Sequence, residues 1–308
     1  MGYAVEAGET ARAAFERILK EELQVIRGEL SGIARCSPDA VHDYRRHLKK
    51  ARSLVRMARR ALPDRNLRVM ERDLAEATRL FAAWREREAL QESLEWLVKA
   101  GKDGPEAVLW ERVLTELRVR LEQEPEGFAR DKAVEGAAAL LDRVLDSVGC
   151  GGGPGDLSIA ALCRGAGSSY RQARKAMMRA SAQPDPEVLH EWRKHAKHLR
   201  HHVQVLSTAW PACFGTLESD LHRLTDFLGS IHDLALLHEF LQAAPPEGVE
   251  AAEWGAMTGI VEKNVKAETK RAFDLGALLF AEKPHAFRKR IRKYVLAWES
   301  GAGGQGSP

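Results

Sequence analysis

Cysteine is rare and scattered in this 308-residue chain: Cys36, Cys150, Cys163 and Cys213, with no C-x-x-C pair. That spacing builds neither a zinc cage nor a disulfide framework, and it fits a reducing compartment. No apolar run approaches the roughly 20 residues needed to cross a bilayer. The opening MGYAVEAGET has neither the basic stretch nor the apolar core of a secretory signal, and Glu6 stands where a myristoylation signal carries Ser or Thr. A cytoplasmic location without membrane attachment is expected. Aromatics are only 6% of the chain and charged residues 30%, arranged in long Ala/Leu/Arg/Glu stretches, a composition that favours an all-α protein.

What is present is positive charge in two places. Residues 41–60, VHDYRRHLKKARSLVRMARR, hold eight Lys or Arg and two His against Asp43 alone, a net +7. Residues 189–205 carry four Lys or Arg and five His against Glu191, a net +3. The whole chain is only +3, so the remainder sits near −7. Positive charge gathered in this way points to a polyanionic ligand more strongly than the overall balance does.

The two segments are also copies of one phrase. Laying His42 over His190 pairs Asp43 with Glu191, Tyr44 with Trp192, Arg45 with Arg193 and Arg46 with Lys194. It pairs His47 with His195, Lys49 with Lys197 and Arg52 with Arg200. At helical pitch, Arg45, Lys49, Arg52, Arg56 and Arg60 fall with His42 inside an arc of about 80°, and His190, Arg193, Lys197 and Arg200 do the same in the second copy. Val41, Tyr44, Leu48, Ala51 and Val55 form the adjoining apolar arc. Like charges at i,i+4 weaken a helix by about 0.2–0.5 kcal/mol per pair. A lone basic run is usually a solvated face, but a stripe that accepts this penalty twice, beside an apolar face, belongs at a groove edge where an anion compensates it.

The remaining chain repeats in step. The run CGGGPGD at 150–156 is the strongest breaker and falls at the midpoint. Helices are expected over about 10–33, 39–61, 67–98, 105–124 and 126–148 before it, and over about 157–181, 187–208, 214–241, 247–280 and 285–299 after it. LFAAWREREAL at 80–90 aligns with FLGSIHDLALL at 227–237, pairing Arg85 with His232 and Glu86 with Asp233, and Asp73-Leu74 meets Asp220-Leu221. The expected division is residues 1–150, a Gly-rich linker 151–156, residues 157–299 and a disordered tail 300–308. Internal duplication of an antiparallel helical unit accounts for it.

Paired H-x-x-R-x-x-x-K/R-x-x-R helices, each followed by a [R/H]-[D/E] turn (WREREAL, IHDLALL), resemble the CHAD domain, the conserved-histidine α-helical domain. The likeness runs over roughly residues 10–299. It implies two pseudo-symmetric helical bundles flanking a basic central groove or channel, and binding of inorganic polyphosphate, often at granules of that polymer. The binding set it implies is His42, Arg45, Lys49, Arg52, His190, Arg193, Lys197 and Arg200. Arg46, Arg56, Lys194 and His201, on the same two helices, join it as candidates. Arg85, Glu86, His232 and Asp233 form a candidate second tier that orients the stripe, with ordinary inter-helix salt bridges as the equal alternative. Arg171, Arg174, Arg288 and Arg292 could add charge. Glu86 stands for the family's usual Asp, Ala82 for the Gly kept at Gly229, and Gln204 ends the second stripe early.

Three rivals are weighed against this. Glu191, His195, His198 and His202 share a helix face and could hold zinc or nickel, although the first copy offers only Asp43 and His47 there, and a surface cluster of histidines is the simpler reading. Nucleic acid would be attracted to any basic groove, but the stripes lack interleaved aromatics for base stacking. Inositol phosphates remain open as ligands. An enzyme is not expected: E-x-E-x-K, a phosphate loop and G-x-S-x-G are all missing, and so is any cofactor motif. The histidines are expected to act as a pH lever, tightening anion binding below about pH 6.5.

Overall fold

The computed structural model describes residues 2–35, 37, 39–82, 129–149, 157–242 and 250–301, together with Trp84, Glu95, Val108, Trp110, Glu111 and Thr115. Among the described residues there are nine α-helices, one short 3-10 turn (Ser207–Ala209) and no strand. The helices are α1 (Ala11–Ala34), α2 (Ala40–Arg59), α3 (Arg65–Arg79), α4 (Arg130–Gly149), α5 (Ile159–Ala182), α6 (Pro186–Val205), α7 (Pro211–Leu241), α8 (Ala251–Leu279) and α9 (Pro284–Glu299). The expected 67–98 helix is interrupted: α3 ends at Arg79, Leu80 and Phe81 form a turn, and Ala82, Trp84 and Glu95, the described residues beyond it, are helical. Of the expected 105–124 helix, Val108, Trp110, Glu111 and Thr115 are described and are helical; the 151–156 linker and the tail from 302 onward lie outside the described residues.

Local chemistry sets the helix starts. The Thr10 hydroxyl accepts from the Ala13 amide at the head of α1, Ser158 does so from Ala161 at α5, and the Asp185 carboxylate accepts from Val188 at α6, where Pro186 follows it. α2 starts differently. Asp39 caps it in the left-handed region, φ 62°, without a side-chain bond, and the helix runs from Ala40, beside the expected start at about 39.

α2 packs between α1 and α3, and α4 lies against α1 and α3. In the second half, α6 packs between α5 and α7, α8 lies on α7, and α9 on α5. α2 also meets α5 and α6, and one apolar cluster runs through both halves. The apolar arc read from the sequence is what faces inward: Tyr44, Leu48, Ala51 and Val55 on α2, and Trp192 and Ala196 on α6, are fully buried. Tyr44 donates its hydroxyl to the Ala77 carbonyl (3.0 Å), while Trp192 stacks on Phe273 at 5.2 Å between centroids. The N-terminal segment straps the two basic helices together. The Tyr3 hydroxyl donates to the Lys50 carbonyl (2.7 Å), and the Val5 amide donates to the Val205 carbonyl (2.9 Å).

The approach of α5 to α2 depends on one missing methyl. A Cβ at Gly165 would fall onto the Met57 carbonyl oxygen and lie 2.9 Å from its carbon. Backbone atoms cannot swing aside, so Gly165→Ala is expected to cost about 1–3 kcal/mol through forced helix separation. Gly28→Ala, with open space around it in α1, should be neutral or stabilising by up to about 1 kcal/mol. Urea midpoints of the two variants check both signs.

Candidate functional site

α2 and α6 set their cationic stripes along two connected cavities. The smaller, about 310 Å³, takes Arg45, Lys49, Arg52, Ser53 and Arg56 from α2. α6 contributes His190, Arg193, Lys194, Lys197, His198 and His201 to it, and α7 contributes His232, Asp233 and Leu236. The larger, about 540 Å³, takes His42, Arg45, Arg46, Lys49 and Lys50 from α2, and Arg193, Lys197, Arg200, His201 and Gln204 from α6, with His222 and Asp226 of α7 opposite. Arg45, Lys49, Arg193, Lys197 and His201 line both. Each of the twelve candidate ligand residues therefore lines at least one cavity, as do His232 and Asp233.

Helices α3 and α7 orient the stripes in matching ways. Arg45 donates to the Phe81 carbonyl (3.3 Å) and Arg52 to the Thr78 hydroxyl (3.4 Å), while Arg193 donates to the Thr225 carbonyl (3.4 Å). Such acceptors fix a guanidinium without cancelling its charge. Gly229 lets Arg193 lie against α7, since a Cβ there would come 2.8 Å from Nη2; Ala82 holds that place in the first copy. Carboxylates then offset only some of the cations. Glu71 holds Arg56 (2.7 Å) and Arg59, and Glu218 holds Arg200 (2.6 Å). Glu71 and Glu218 stand in the same repeat register as Asp73 and Asp220, a signal that the sequence contained and the reading missed. Asp43 pairs with Arg46 (3.2 Å), Glu191 with Lys194 (2.6 Å), and Glu22 with His47 and Lys50.

The crowding shows in the ionisation of these groups. Burial, then Arg193, Lys49 and Arg200, pull the Lys197 ammonium down to about 6, against a weak opposing pull from Asp226. Burial and then His232, whose ring lies 4.6 Å away, take His190 to about 4. Burial and Arg56 lower Arg52.

Of the expected surface cluster, Glu191 is exposed and His195 and His198 are half-buried, but His202 is not at the surface. His202 is fully buried and donates Nε2–H to the Ser53 carbonyl (2.8 Å). The Ser53 hydroxyl sits 2.6 Å from Nδ1 of His198 and 3.0 Å from Nδ1 of His201, donating to one imidazole and accepting from the other. Among the described residues no three His, Cys, Asp or Glu side chains are grouped to hold a metal ion. Sequence reasoning could not pair Ser53 with these rings, although it lies opposite His201 in the repeat. Burial holds both imidazoles well below their ordinary value.

Arg171, Arg174, Arg288 and Arg292 lie on α5 and α9, and none lines either cavity. Arg174 donates to the Phe280 carbonyl (3.0 Å), and the stem of Arg288 packs over Gly167. Arg85 and Glu86 lie outside the described residues. No helix among the described residues is long and apolar enough to cross a membrane.

A family model described as the CHAD domain matches residues 10–242. Among solved structures, the chain is similar to the crystal structure of the CHAD domain from the plant Ricinus communis, with a TM-score of 0.50 and 16% identity over 94% of each chain. At that identity the likeness concerns the fold alone. No curated protein matches the chain.

Proposed function

The chain belongs to the CHAD domain family, and on that premise we propose that it binds inorganic polyphosphate, without turning it over, in a groove between two pseudo-symmetric helical halves. The observation that carries this reading is the pair of joined cavities whose shared cations come from both repeats: Arg45 and Lys49 from one, Arg193 and Lys197 from the other. Polyphosphate is a flexible chain with about one negative charge per unit and oxygens on every phosphorus, so it needs facing cations along a path rather than one closed pocket. Arginine forks grip such oxygens two at a time, and lysines supply movable charge between them.

Nucleic acid fits less well, because Tyr44 and Trp192, the aromatics of the two motifs, are fully buried in the core and cannot stack on bases. Binding rather than hydrolysis is favoured by the weak bases around Ser53. The same reading puts the protein in the cytoplasm, at polyphosphate granules.

Calorimetry against polyphosphates of several lengths tests the proposal, with inositol hexakisphosphate and duplex DNA as competitors. Arg45→Gln with Arg193→Gln removes one charged donor from each stripe, at about 1.5–3 kcal/mol apiece, and should weaken long-chain binding about a hundredfold or more while the circular dichroism spectrum is retained. Unchanged affinity in that folded double variant would overturn the assignment. Chain lengths that shorten on incubation would overturn the non-enzymatic part.

A further inference from the structure

Resting on the polyphosphate reading of this site, we propose that Lys197 is its proton-loading residue: it waits in the empty groove as the neutral amine and takes up a proton as the phosphate chain arrives.

The geometry singles it out. Lys197 is half-buried in the stretch common to both cavities. Other lining cations have been given counterions: Arg56 has Glu71, Arg200 has Glu218, Arg46 has Asp43 and Lys194 has Glu191. No carboxylate among the described residues lies within ion-pair distance of Lys197. Its own helix adds Arg193, Arg200 and the rings of His190, His198 and His201 to the cavities it lines, and α2 adds Arg45, Lys49 and Arg52. From α7 the cavities take His222, Asp226, His232 and Asp233; Arg193, Lys49 and Arg200 act against the charged form of Lys197 and Asp226 favours it.

That surplus of cations keeps the amine near pH 6 in the empty groove. A bound phosphate chain reverses the sign of the local field and replaces lost hydration with acceptor oxygens, so the ammonium becomes the stable form. Binding and proton uptake are then linked. Between the titration points of the free and bound states, affinity falls about tenfold for each unit of pH rise. The arrangement lowers the cost of holding so many cations together before the ligand comes. It also favours ligands of high charge density, because a sparse anion cannot raise the amine far enough to charge it.

The experiment is titration calorimetry of the full chain with long-chain sodium polyphosphate at pH 8.5, in two buffers of different ionisation enthalpy. At that pH an imidazole contributes little, so uptake reports the amine. The wild type should take up about one proton per site. Lys197→Arg, permanently charged, should bind with no uptake and a flat pH profile, and Lys197→Met should bind more weakly and also without uptake. Wild-type binding with no proton uptake would overturn the inference and leave the polyphosphate reading standing. Uptake persisting in Lys197→Arg would overturn it equally, by assigning the proton elsewhere. Failure of the wild type to bind any polyphosphate would remove both.

Discussion

Taking the ligand-free protein from pH 7 to pH 4.5 is expected to unfold it, through the histidines of α6. His202 is fully enclosed, and burial, only partly opposed by its bond to the Ser53 carbonyl, lowers it to about 3. His198 and His201 are held well below their ordinary value by burial first and by Arg56 and Arg200 next. In the unfolded chain each returns to about 6.5. The folded state therefore binds fewer protons, so its stability is intact above pH 6.5 and drains as pH falls from there towards 3. At pH 4.5 the His202 contribution alone amounts to about 2–3 kcal/mol. His198 and His201 act in the same direction, and a typical domain is held together by only about 5–15 kcal/mol. Lys197 adds a loss of its own only above its titration near 6, below which the folded and unfolded chains both hold its proton. Tryptophan fluorescence followed against pH should show a cooperative transition near pH 5, displaced to lower pH by polyphosphate. A ligand-free protein with unchanged fluorescence and urea midpoint at pH 4.5 would contradict the neutral, buried state of these rings.

This reverses one expectation from the sequence and shows why it was out of reach. The H-x-x-R-x-x-x-K-x-x-R spacing fixes which side chains share a helix face, because pitch alone decides that. Tyr44 and Trp192 were placed inward, and the stripes beside them, by the same periodicity. The start of α6, expected at about 187 and found at Pro186, was legible for a similar reason: helix-start signals act within one turn. Spacing says nothing of what lies across the groove. The sequence offered Glu191, His195, His198 and His202 as a surface cluster, and the histidines in general as groups that charge below about pH 6.5. The structure sets His198, His201 and His202 against Ser53, a residue 145 positions or more away in the chain. Arg171, Arg174, Arg288 and Arg292 do not line the cavities; Arg174 donates to the Phe280 carbonyl and the stem of Arg288 packs over Gly167. Helix-face arithmetic could not see that choice. Glu71 and Glu218 were visible in the repeat, but their meaning depended on knowing that α3 and α7 face the stripes.

Those two glutamates set the response to salt, where the largest change in affinity is expected. Ten Lys and Arg side chains line the two cavities, and at least five of them (Arg46, Lys50, Arg56, Lys194 and Arg200) already sit against carboxylates. A flexible polyanion releases about 0.7 counterion per charge neutralised, by analogy with single-stranded nucleic acid. If all ten engaged, affinity would fall about 10⁴-fold between 50 and 200 mM salt; with five it would fall about 10²-fold. Wild type should lie between these limits, because a carboxylate already in place competes with the ligand for its cation. Glu218→Gln releases Arg200, and Glu71→Gln releases Arg56 and Arg59. Each variant should bind polyphosphate more tightly at low salt and lose affinity more steeply as salt rises. A structural role for these glutamates predicts the reverse, a destabilised protein that binds more weakly with the same slope. Fluorescence titrations at four salt concentrations separate the two outcomes, and a salt-independent affinity in the wild type would exclude the cationic stripes as the source of binding.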